Sequence, residues 1–533
     1  MVNIPNNLLI YLNHYRPMIK MKYTQVELPG LHLVWDDIVS SVIRTNYQKP
    51  GLTFIPSIVQ QAGLCEVEAV DMKIRDQDVT VPYKRFRYGD GIMTASRIGV
   101  PFEKVEQKIR ETDILGISLN STSWADIALD FMKYAKRVNP KVITVIGGNE
   151  AAFRHGYYLE SGLVDIAVRG EAEYTLPGLI ECLRERKDLE GVRGISFLGK
   201  NRIITTPRPA VVNMDEIPLP SLGILKEDMQ LWTTPIECFP LPEGVSTPIS
   251  WIFLTRGCYQ NCEYCTTPAK MGEFRHKGLE RIAEELRHIK SYGIKTLNIW
   301  DDSLTSILSN ASLGRRAGRE YLIEIAGLLR GMGFAYEFSQ GVVIRDLWDM
   351  EKNQPDFELI NAFYSNKKID GSFAGCYGEY FPVECLQEEK RYQKLMTFDK
   401  EKTVLEAIVD AGTKLITYSS IMGGKKDTLA DFEFATKRLR ELNELVESRG
   451  GKALATPFIH SIFPGSRIWV EYQENLVYPI GEFPELYQLN TAPYRTESFE
   501  PHEITLAKKE MEKRLMTPEQ YARWNKTGRY QWK

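Results

Sequence analysis

The stretch from Ile249 to His276 reads ISWIFLTRGCYQNCEYCTTPAKMGEFRH. Its apolar run, Trp251 to Leu254, predicts a buried strand that ends at Arg256-Gly257. Three cysteines follow at once in the spacing C-x3-C-x2-C: Cys258, Cys262 and Cys265. A loop with this spacing can place three thiolates on three irons of a 4Fe–4S cubane and leave the fourth iron without a protein ligand. The stretch therefore predicts an iron–sulfur site directly after a strand.

Two other interpretations of these cysteines are open. One is a zinc site with His276 as the fourth ligand, although structural zinc sites usually combine two C-x2-C pairs, or one such pair with two nearby histidines. The other is three unrelated thiols, but eight cysteines in 533 residues rarely place three within one eight-residue window. Tyr264 favours the iron–sulfur interpretation, because an aromatic ring before the last cysteine could lie against an adenine.

Composition limits the classes of protein to consider. A chain of 533 residues with 43% hydrophobic and 26% charged residues can bury large cores, and we expect two or three domains. The net charge of −3 gives no overall signature of nucleic-acid binding. No apolar run approaches the ~18 residues of a membrane span, and the first residues lack a signal-peptide pattern. The remaining cysteines are scattered, as in a soluble cytoplasmic protein: Cys65, Cys182, Cys238, Cys376 and Cys385.

Strand and helix patterns alternate over the first 206 residues, which we take as one domain. The predicted strands are 8–12, 65–72, 113–120, 142–150 and 164–173, and the predicted helices are 35–47, 51–63, 124–138 and 176–186. This alternation predicts a doubly wound parallel sheet, in which ligands bind outside the carboxyl ends of the strands. The connection over 73–110 is longer than usual and predicts a cap.

A proline-rich linker, 207–248, precedes a second alternating region, 249–465. Its predicted strands are 251–254, 294–300, 334–343, 371–378, 414–423 and 453–461, and its predicted helices are 279–292, 319–332, 402–411 and 429–447. Six strand–helix units predict a partial (β/α)6 barrel with its functional groups at the carboxyl ends of the strands. Residues 466–533 predict a mostly helical region that closes the barrel mouth and selects the substrate.

These features together resemble the cobalamin-dependent radical S-adenosylmethionine enzymes. The signature C-x3-C-x-aromatic-C ends at Cys265, and the first domain carries GLTFIPS from Gly51, IGGN from Ile146 and DIAVRGEAE from Asp165. The resemblance implies a cobalamin site at Asn13, Ser118, Ser121, Gly147, Gly148, Asn149, Gly170 and Glu171. The D-x-H-x-x-G motif of other cobalamin proteins is absent, which implies a cofactor bound base-off without a histidine beneath cobalt.

The same resemblance implies the residues that hold S-adenosylmethionine. Asp301 and Asp302 follow the second barrel strand, where the family binds the methionyl amino group, a cation that a carboxylate can pair with. Further positions implied by the family are Tyr264, Gln340, Glu384, Ser420 and Gly423. For each of these, a solvated or helix-capping role is the alternative. His460 could face the substrate, although a lone histidine is more often structural, and no residue is assigned a catalytic role.

The activity implied by the family is radical methyl transfer. Reductive cleavage of S-adenosylmethionine would give a 5′-deoxyadenosyl radical, and methylcobalamin would methylate an unactivated carbon or phosphorus centre of a small-molecule substrate such as a secondary metabolite. An electron donor such as flavodoxin or ferredoxin would be needed, with no nucleic-acid partner. An oxidative cyclase or ring-rearranging enzyme would use the same cofactors without methyl transfer. A non-catalytic cobalamin sensor with a structural cluster is the alternative of another class.

Overall fold

A computed structural model describes residues 21–36, 38–42, 48–233, 240–383 and 396–527. The predicted strand at 8–12 and the candidate ligands Asn13 and Glu384 lie outside the described residues. Within the described ranges, no helix combines the length and the apolar character that crossing a bilayer demands.

Among its described residues, the first domain contains two sheets and five α-helices. Its strands are β1 (Lys22–Glu27), β2 (Gly30–Trp35), β3 (Ile38–Val42), β4 (Glu66–Asp71), β5 (Thr80–Tyr88), β6 (Gly91–Ile98), β7 (Ile114–Ser118), β8 (Ile143–Gly147), β9 (Ile166–Val168), β10 (Ile195–Leu198) and β11 (Ile203–Thr205). Its helices are α1 (Pro50–Ala62), α2 (Glu106–Arg110), α3 (Ala125–Val138), α4 (Asn149–Glu160) and α5 (Thr175–Glu185).

The larger sheet has the strand order β11-β10-β9-β8-β7-β1-β4. The five strands from β9 to β4 are mutually parallel, and β10 and β11 add an antiparallel edge. β4 lies on one side of β1, and the later strands β7, β8 and β9 follow one another on the other side of β1. The direction in which strands are added to the sheet therefore reverses between β1 and β7. Such a reversal opens a crevice at the carboxyl ends of the strands. The predicted doubly wound sheet is confirmed.

A smaller antiparallel sheet, β3-β2-β6-β5, forms the cap. The prediction of a helix over 35–47 is wrong where the structure describes it, because β2 ends at Trp35 and β3 begins at Ile38. Asp36 makes the turn with φ of 49°, and its Oδ1 accepts a hydrogen bond from the amide of Ile92 at 2.9 Å. Pairing of β2 with β6 over six residues outweighs the local helical pattern.

The second domain is built on a sheet of six parallel strands in the order β12-β15-β16-β20-β21-β23. These strands are β12 (Ile249–Ile252), β15 (Thr296–Ile299), β16 (Ala335–Phe338), β20 (Ser372–Pro382), β21 (Leu415–Ser419) and β23 (Lys452–Ala455). Short strands accompany them: β13 (Thr255–Arg256), β14 (Arg275–His276), β17 (Trp348–Asp349), β18 (Gln354–Pro355), β19 (Asn366–Ile369), β22 (Ile421–Met422) and β24 (Phe458–Ile459). The predicted partial barrel of six strands is confirmed.

Helices cover the outside of this sheet. They are α6 (Thr267–Met271), α7 (Leu279–Ser291), α8 (Arg315–Gly331), α9 (Phe357–Tyr364), α10 (Phe398–Ala411) and α11 (Leu429–Ser448). Their apolar faces repeat every three or four residues, as in α11, where Phe432, Ala435, Leu439 and Leu442 are buried. Burial of these faces against the strands forms the largest apolar core of the molecule.

The last part of the chain ties the barrel to the cap. It contains α12 (Ile468–Glu471), α13 (Pro501–Leu515) and α14 (Pro518–Thr527), with irregular backbone between α12 and α13. The Tyr88 hydroxyl of β5 donates to the carbonyls of Ala492 and Pro501, each at 3.0 Å. Lys84 of the same strand pairs with the buried Glu485 at 3.1 Å. The cap and the C-terminal region therefore hold the two domains as one packed unit.

Candidate functional site

A cavity of about 610 Å³ lies between the two domains, at the carboxyl ends of both parallel sheets. One wall comes from the ends of β1, β7, β8 and β9, and the other from β12, β15 and the short helix α6. Nine of the residues predicted from the sequence line it: Ser118, Gly147, Gly148, Asn149, Gly170, Glu171, Asp301, Asp302 and Gln340. Ser121, Tyr264, Ser420 and Gly423 do not.

The glycine turn after β8 shapes the first wall. At Gly148, with φ of 89°, a Cβ atom would lie 2.5 Å from the carbonyl oxygen of Leu119, so only glycine fits against the neighbouring loop. At Gly147, the nearest atom to a Cβ would be 3.9 Å away, so this glycine keeps the wall flat and open. A flat wall of backbone suits a planar macrocycle such as a corrin.

Each wall of the cavity contains a residue with a buried polar oxygen that lacks a partner among the described residues. Asn149 Oδ1 on the first wall and Asp301 Oδ2 on the second are buried and have no hydrogen-bond partner among the described residues. Buried polar atoms are normally satisfied, so such orphans indicate a polar ligand. The cavity therefore fits bound groups that carry hydrogen-bonding atoms on both sides.

Sequence reasoning missed the charged residues at the ends of β1 and β4. Lys73 forms an ion pair with Glu27, and its ammonium lies 4.3 Å from the centre of the Trp124 ring; all three line the cavity. Burial raises the pKa of nearby Asp71 to about 6, and the Glu27 carboxylate adds to the shift. β1 was missed because its sequence, KYTQVE, buries the polar Thr24 and Gln25 and shows no apolar run.

The three cysteines of the signature lie in the loop between β13 and α6, half-buried and without disulfides. Cys258 Sγ accepts a hydrogen bond from the amide of Gln260 at 3.3 Å, and Cys265 Sγ accepts one from the amide of Thr267 at 3.4 Å. The Ser306 hydroxyl lies 3.5 Å from Cys258 Sγ. Donors directed at sulfur stabilise thiolates and tune the potential of a cluster, so this loop fits an iron–sulfur cluster.

The zinc interpretation gains no support from His276. Its ring packs against Tyr321, with the ring centres 4.8 Å apart, and its Nδ1 lies 3.1 Å from the carbonyl oxygen of Lys277. In the described parts of the chain, no three Cys, His, Asp or Glu side chains converge as the ligands of one metal ion would.

Asp302 joins the two ends of the cysteine loop. Its Oδ2 accepts a hydrogen bond from the amide of Gly257 at 3.0 Å, just before Cys258, and its Oδ1 accepts one from the hydroxyl of Thr267 at 3.2 Å, just after Cys265. An ionised carboxylate offers about four acceptor sites, so two of them remain for a ligand. The residue predicted to hold the methionyl ammonium thus also positions the predicted cluster ligands.

Asp301 is buried beside it in a different environment. Its Oδ1 accepts hydrogen bonds from the amides of Leu254 and Thr255 at 2.7 and 3.2 Å, which fixes the backbone where β12 leads into β13. Burial raises the pKa of Asp301 to about 7, although these two amides act in the opposite direction. Asp301 therefore carries a proton more readily than an ordinary aspartate does.

Three of the remaining predicted residues do not line the cavity: Tyr264, Ser420 and Gly423. Ser420 is buried with an Oγ that has no hydrogen-bond partner among the described residues, and the Tyr264 ring centre lies 6.2 Å from that of His460. Gly423 serves packing: it has φ of 81°, and a Cβ there would lie 2.6 Å from Ile504 on α13. Tyr494 donates a hydrogen bond to its carbonyl oxygen at 2.9 Å. Gly423 therefore holds the C-terminal helix against the barrel.

A pair of tryptophans at the barrel mouth was also missed. Trp251 of β12 and Trp300 after β15 stack with ring centres 3.5 Å apart and planes at 23°, and both line the cavity. Trp251 pairs in register with Asn298 of the neighbouring strand β15. Trp300 lies two residues after Asn298, so its side chain lies on the same face of the sheet as that of Asn298, next to Trp251. An alignment across parallel strands would have been needed to foresee the stack.

Four charged residues form ion pairs between the two domains, and three of them also line the cavity: Glu171, Glu173 and Arg256. Arg256 Nη1 lies 2.7 Å from Glu171 Oε1, and its Nη2 lies 2.6 Å from Glu173 Oε1. Arg275 Nη1 lies 2.8 Å from Glu171 Oε2. Burial alone would raise the pKa of Glu171, but the two arginines hold it below its ordinary value. Both carboxylate oxygens of this predicted cobalamin residue are therefore engaged by the barrel domain.

Comparison with known proteins identifies the family. The B12 binding domain family matches residues 37–180. The cobalamin-dependent S-adenosylmethionine radical enzyme OxsB, in a structure with aqua-cobalamin and S-adenosylmethionine bound, shares the fold with a TM-score of 0.62 at 16% identity, over 96% of this chain and 71% of OxsB. The uncharacterized methyltransferase PH0819 of Pyrococcus horikoshii is 32% identical over 446 residues, covering 81% of this chain and 80% of the relative. The chain belongs to the cobalamin-dependent radical S-adenosylmethionine enzymes.

Membership in this family establishes the cofactors of the enzyme as cobalamin, S-adenosylmethionine and a 4Fe–4S cluster. A further relative of this radical S-adenosylmethionine enzyme is the cytidylyl-2-hydroxyethylphosphonate methyltransferase of Streptomyces wedmorensis, 24% identical over 340 residues and matched over 59% of each chain.

Proposed function

We propose that this enzyme transfers a methyl group to an unactivated carbon or phosphorus centre of a small molecule. The observation that carries the proposal is the shared cavity, in which the glycine wall of the cobalamin-type domain faces Asp301, Asp302 and Gln340 of the barrel. A substrate between these walls would touch both cofactors at once. Methyltransferases among the relatives support the same activity.

When bound, the three cofactors supply an electron, a hydrogen-abstracting radical and a transferable methyl group. The chain's part is to bind, orient and exclude water. Cys258, Cys262 and Cys265 would hold the iron–sulfur cluster, and Asp302 would hold the ammonium group of S-adenosylmethionine while keeping the loop closed around the cysteines. The raised pKa of Asp301, about 7, would let its carboxyl group exchange a proton with a bound polar group through Oδ2.

On the opposite wall, Ser118, Gly147, Gly148, Asn149 and Gly170 would face the corrin, with the Asn149 amide oxygen directed at it. No histidine is among the described residues that line the cavity, so this part of the lining offers no imidazole to a bound corrin. His155 on α4 is half-buried, and its burial lowers the pKa of its ring.

Aromatic side chains would keep water from the reacting centre. The stacked Trp251 and Trp300 and the neighbouring Phe253 line the barrel side of the cavity, while Trp124 lines the far side. An apolar wall beside a reactive group protects it from side reactions with solvent. The substrate would therefore lie against indole surfaces, with its reacting atom between the two cofactor walls.

We infer four functional units along the chain. We assign residues 1–206 to cobalamin, 207–248 to the linker, 249–465 to the radical chemistry and 466–533 to substrate selection.

We also propose that a small electron carrier such as flavodoxin or ferredoxin reduces the cluster. Reduction of the loaded protein by purified flavodoxin and, separately, by purified ferredoxin, followed optically, tests this step, and a failure with both carriers would reject it.

A labelling experiment tests the activity. Reconstituted, reduced protein is incubated with S-adenosylmethionine carrying a labelled methyl group and with a small-molecule extract of its host. We expect a labelled product whose mass exceeds that of a consumed compound by one methylene unit. Consumption of a compound with no label in its product would favour the cyclase or ring-rearranging alternative. Protein that never cleaves S-adenosylmethionine would favour the sensor.

A further inference from the structure

The ion pairs between Glu171, Glu173, Arg256 and Arg275, here called the Glu–Arg network, connect two cofactor loops that belong to different domains. Glu171 and Glu173 follow Gly170 in the loop after β9, which lines the corrin side of the cavity. Arg256 directly precedes Gly257 and Cys258, at the start of the cysteine loop. The ion pairs of the network therefore join the two loops directly.

Arg275 completes the link at the other end of the cysteine loop. β13 and β14 pair in an antiparallel hairpin that encloses the loop, and Arg256 and Arg275 stand directly opposite each other in it. Arg275 also donates to the carbonyl of Met271 on α6 at 3.3 Å and to the carbonyl of Val212 in the linker at 3.0 Å. Arg275 therefore contacts the cobalamin-type domain, the linker and α6 at once.

Two like charges directly opposite each other destabilise a strand pair. Glu171 removes this conflict, because its two carboxylate oxygens accept both guanidinium groups, with Arg275 also donating to Oε1 at 3.0 Å. The side chains of all four residues are only 8–14% exposed, so solvent cannot take over the role of the carboxylates. The closed hairpin therefore depends on a residue of the cobalamin domain.

We propose that the Glu–Arg network couples the two cofactor sites, so that cluster binding raises the affinity for cobalamin and cobalamin binding favours the closed cysteine loop. A bound cluster fixes the three cysteines and hence both arginines, which in turn fix Glu171 and Glu173 beside the corrin. Binding of the first ligand orders this region and loses its conformational entropy. The second ligand then binds a region that is already ordered, so its own binding loses less entropy. These four residues are positioning residues, and the inference rests on the family's cofactors, not on methyl transfer.

Coupling of this kind is reciprocal and is typically about 5–150-fold in affinity. The test is an anaerobic titration of the full chain with hydroxocobalamin, once without the cluster and once after reconstitution. For the wild type we expect the cluster to tighten cobalamin binding by at least about fivefold. In Glu171→Gln, which keeps the shape of the side chain but loses its charge, the two affinities should become equal.

Asp356→Asn is the matched control. Asp356 is as buried as Glu171, at 11% side-chain exposure, and takes a two-point contact from Arg319 at 2.8 Å and 2.8 Å, but this pair lies wholly within the barrel. This variant should keep the wild-type ratio of affinities. Iron content and circular dichroism of each variant separate a lost cluster or a lost fold from lost coupling.

Two results would overturn the proposal: a wild-type ratio of one, or an unchanged ratio in Glu171→Gln. If Glu171→Gln does not fold, Glu173→Gln replaces it, since this change leaves the contacts of Glu171 intact and removes one of the two carboxylates that hold Arg256. There the ratio should fall below that of the wild type, and an unchanged ratio again rejects the coupling. None of these outcomes depends on a methylated product.

Discussion

At the scale of single residues, the account depends on two adjacent aspartates with different tasks. Asp301 is buried, with one carboxylate oxygen bound to two backbone amides and the other without a partner among the described residues. Asp302 is exposed to the cavity and accepts one hydrogen bond at each end of the cysteine loop. The pattern Asp301-Asp302 after a strand was visible in the sequence, but the division of roles follows from burial and from the hydrogen bonds that each carboxylate accepts.

Asp302→Asn should weaken the binding of S-adenosylmethionine by about 1–3 kcal/mol, the size of a charge-assisted hydrogen bond. The asparagine keeps an acceptor for the amide of Gly257, so the cysteine loop should remain closed. Equilibrium titration of the cluster-loaded protein measures the change, and Asp228→Asn, outside the cavity, serves as the control. Unchanged affinity in Asp302→Asn would move the role to Asp301 or Glu384.

Asp301 gives the stability of the protein a pH dependence. Its folded-state pKa of about 7 lies above the unfolded value of about 3.9, so the folded state binds the extra proton and stability is lost as pH rises through this window. Relative to Asp301→Asn, which cannot titrate, the wild type should lose about 1.4 kcal/mol per pH unit between about pH 5 and pH 7. Urea unfolding of the cluster-free proteins measures the difference. A difference that does not vary with pH would show that Asp301 does not titrate there.

At the scale of elements, the sequence predicted those strands and helices whose own apolar residues recur with the period of a strand or a helix. The helix over 51–63 is an example: α1 ends where Gly63 adopts φ of 65°. β1 and the β2–β3 hairpin were not foreseen, because partners from distant parts of the sequence hold them. The cysteine loop was expected directly after a strand and lies there, between β13 and α6, whereas the role of its three cysteines as cluster ligands stays a prediction.

Cys262→Ala should abolish the cluster, because two thiolates cannot hold a cubane that needs three protein ligands. Anaerobic reconstitution of the wild type should give about four irons per chain, with a broad absorption in the visible range. Cys182→Ala, which removes a buried thiol on α5, should leave iron content unchanged. Stoichiometric zinc in place of iron in the wild-type protein would contradict the assignment.

Gly423 tests the contact between the glycine segment and α13. Gly423→Ala places a methyl group 2.6 Å from Ile504 Cγ2 at a positive φ, and overpacking of this kind costs about 1–3 kcal/mol. Gly450→Ala is the control, because Gly450 also has a positive φ, of 72°, but no atom lies within 4 Å of the added methyl. The free energy of unfolding should fall further in Gly423→Ala than in Gly450→Ala. Equal losses would mean that strain in the backbone, not contact with α13, explains the glycine.

At the scale of the whole molecule, the site exists only because two domains face each other. The sequence placed candidate residues at strand ends, and nine of them meet in one cavity. It could not show that Glu171 would be taken by Arg256 and Arg275, or that Gly423 would pack against α13, since both contacts join segments about 80 or more residues apart. Cofactor identity was thus readable from short motifs, whereas the arrangement between the domains was not.

The central claim, methyl transfer, is tested most directly by counting the two nucleosides formed with each product. The loaded, reduced enzyme is supplied with the substrate found by labelling, and S-adenosylhomocysteine, 5′-deoxyadenosine and product are quantified in the same reaction. Methyl transfer predicts equal amounts of all three, because one S-adenosylmethionine supplies the methyl group and another supplies the radical. Accumulation of 5′-deoxyadenosine in step with product, while S-adenosylhomocysteine stays at background, would contradict the account.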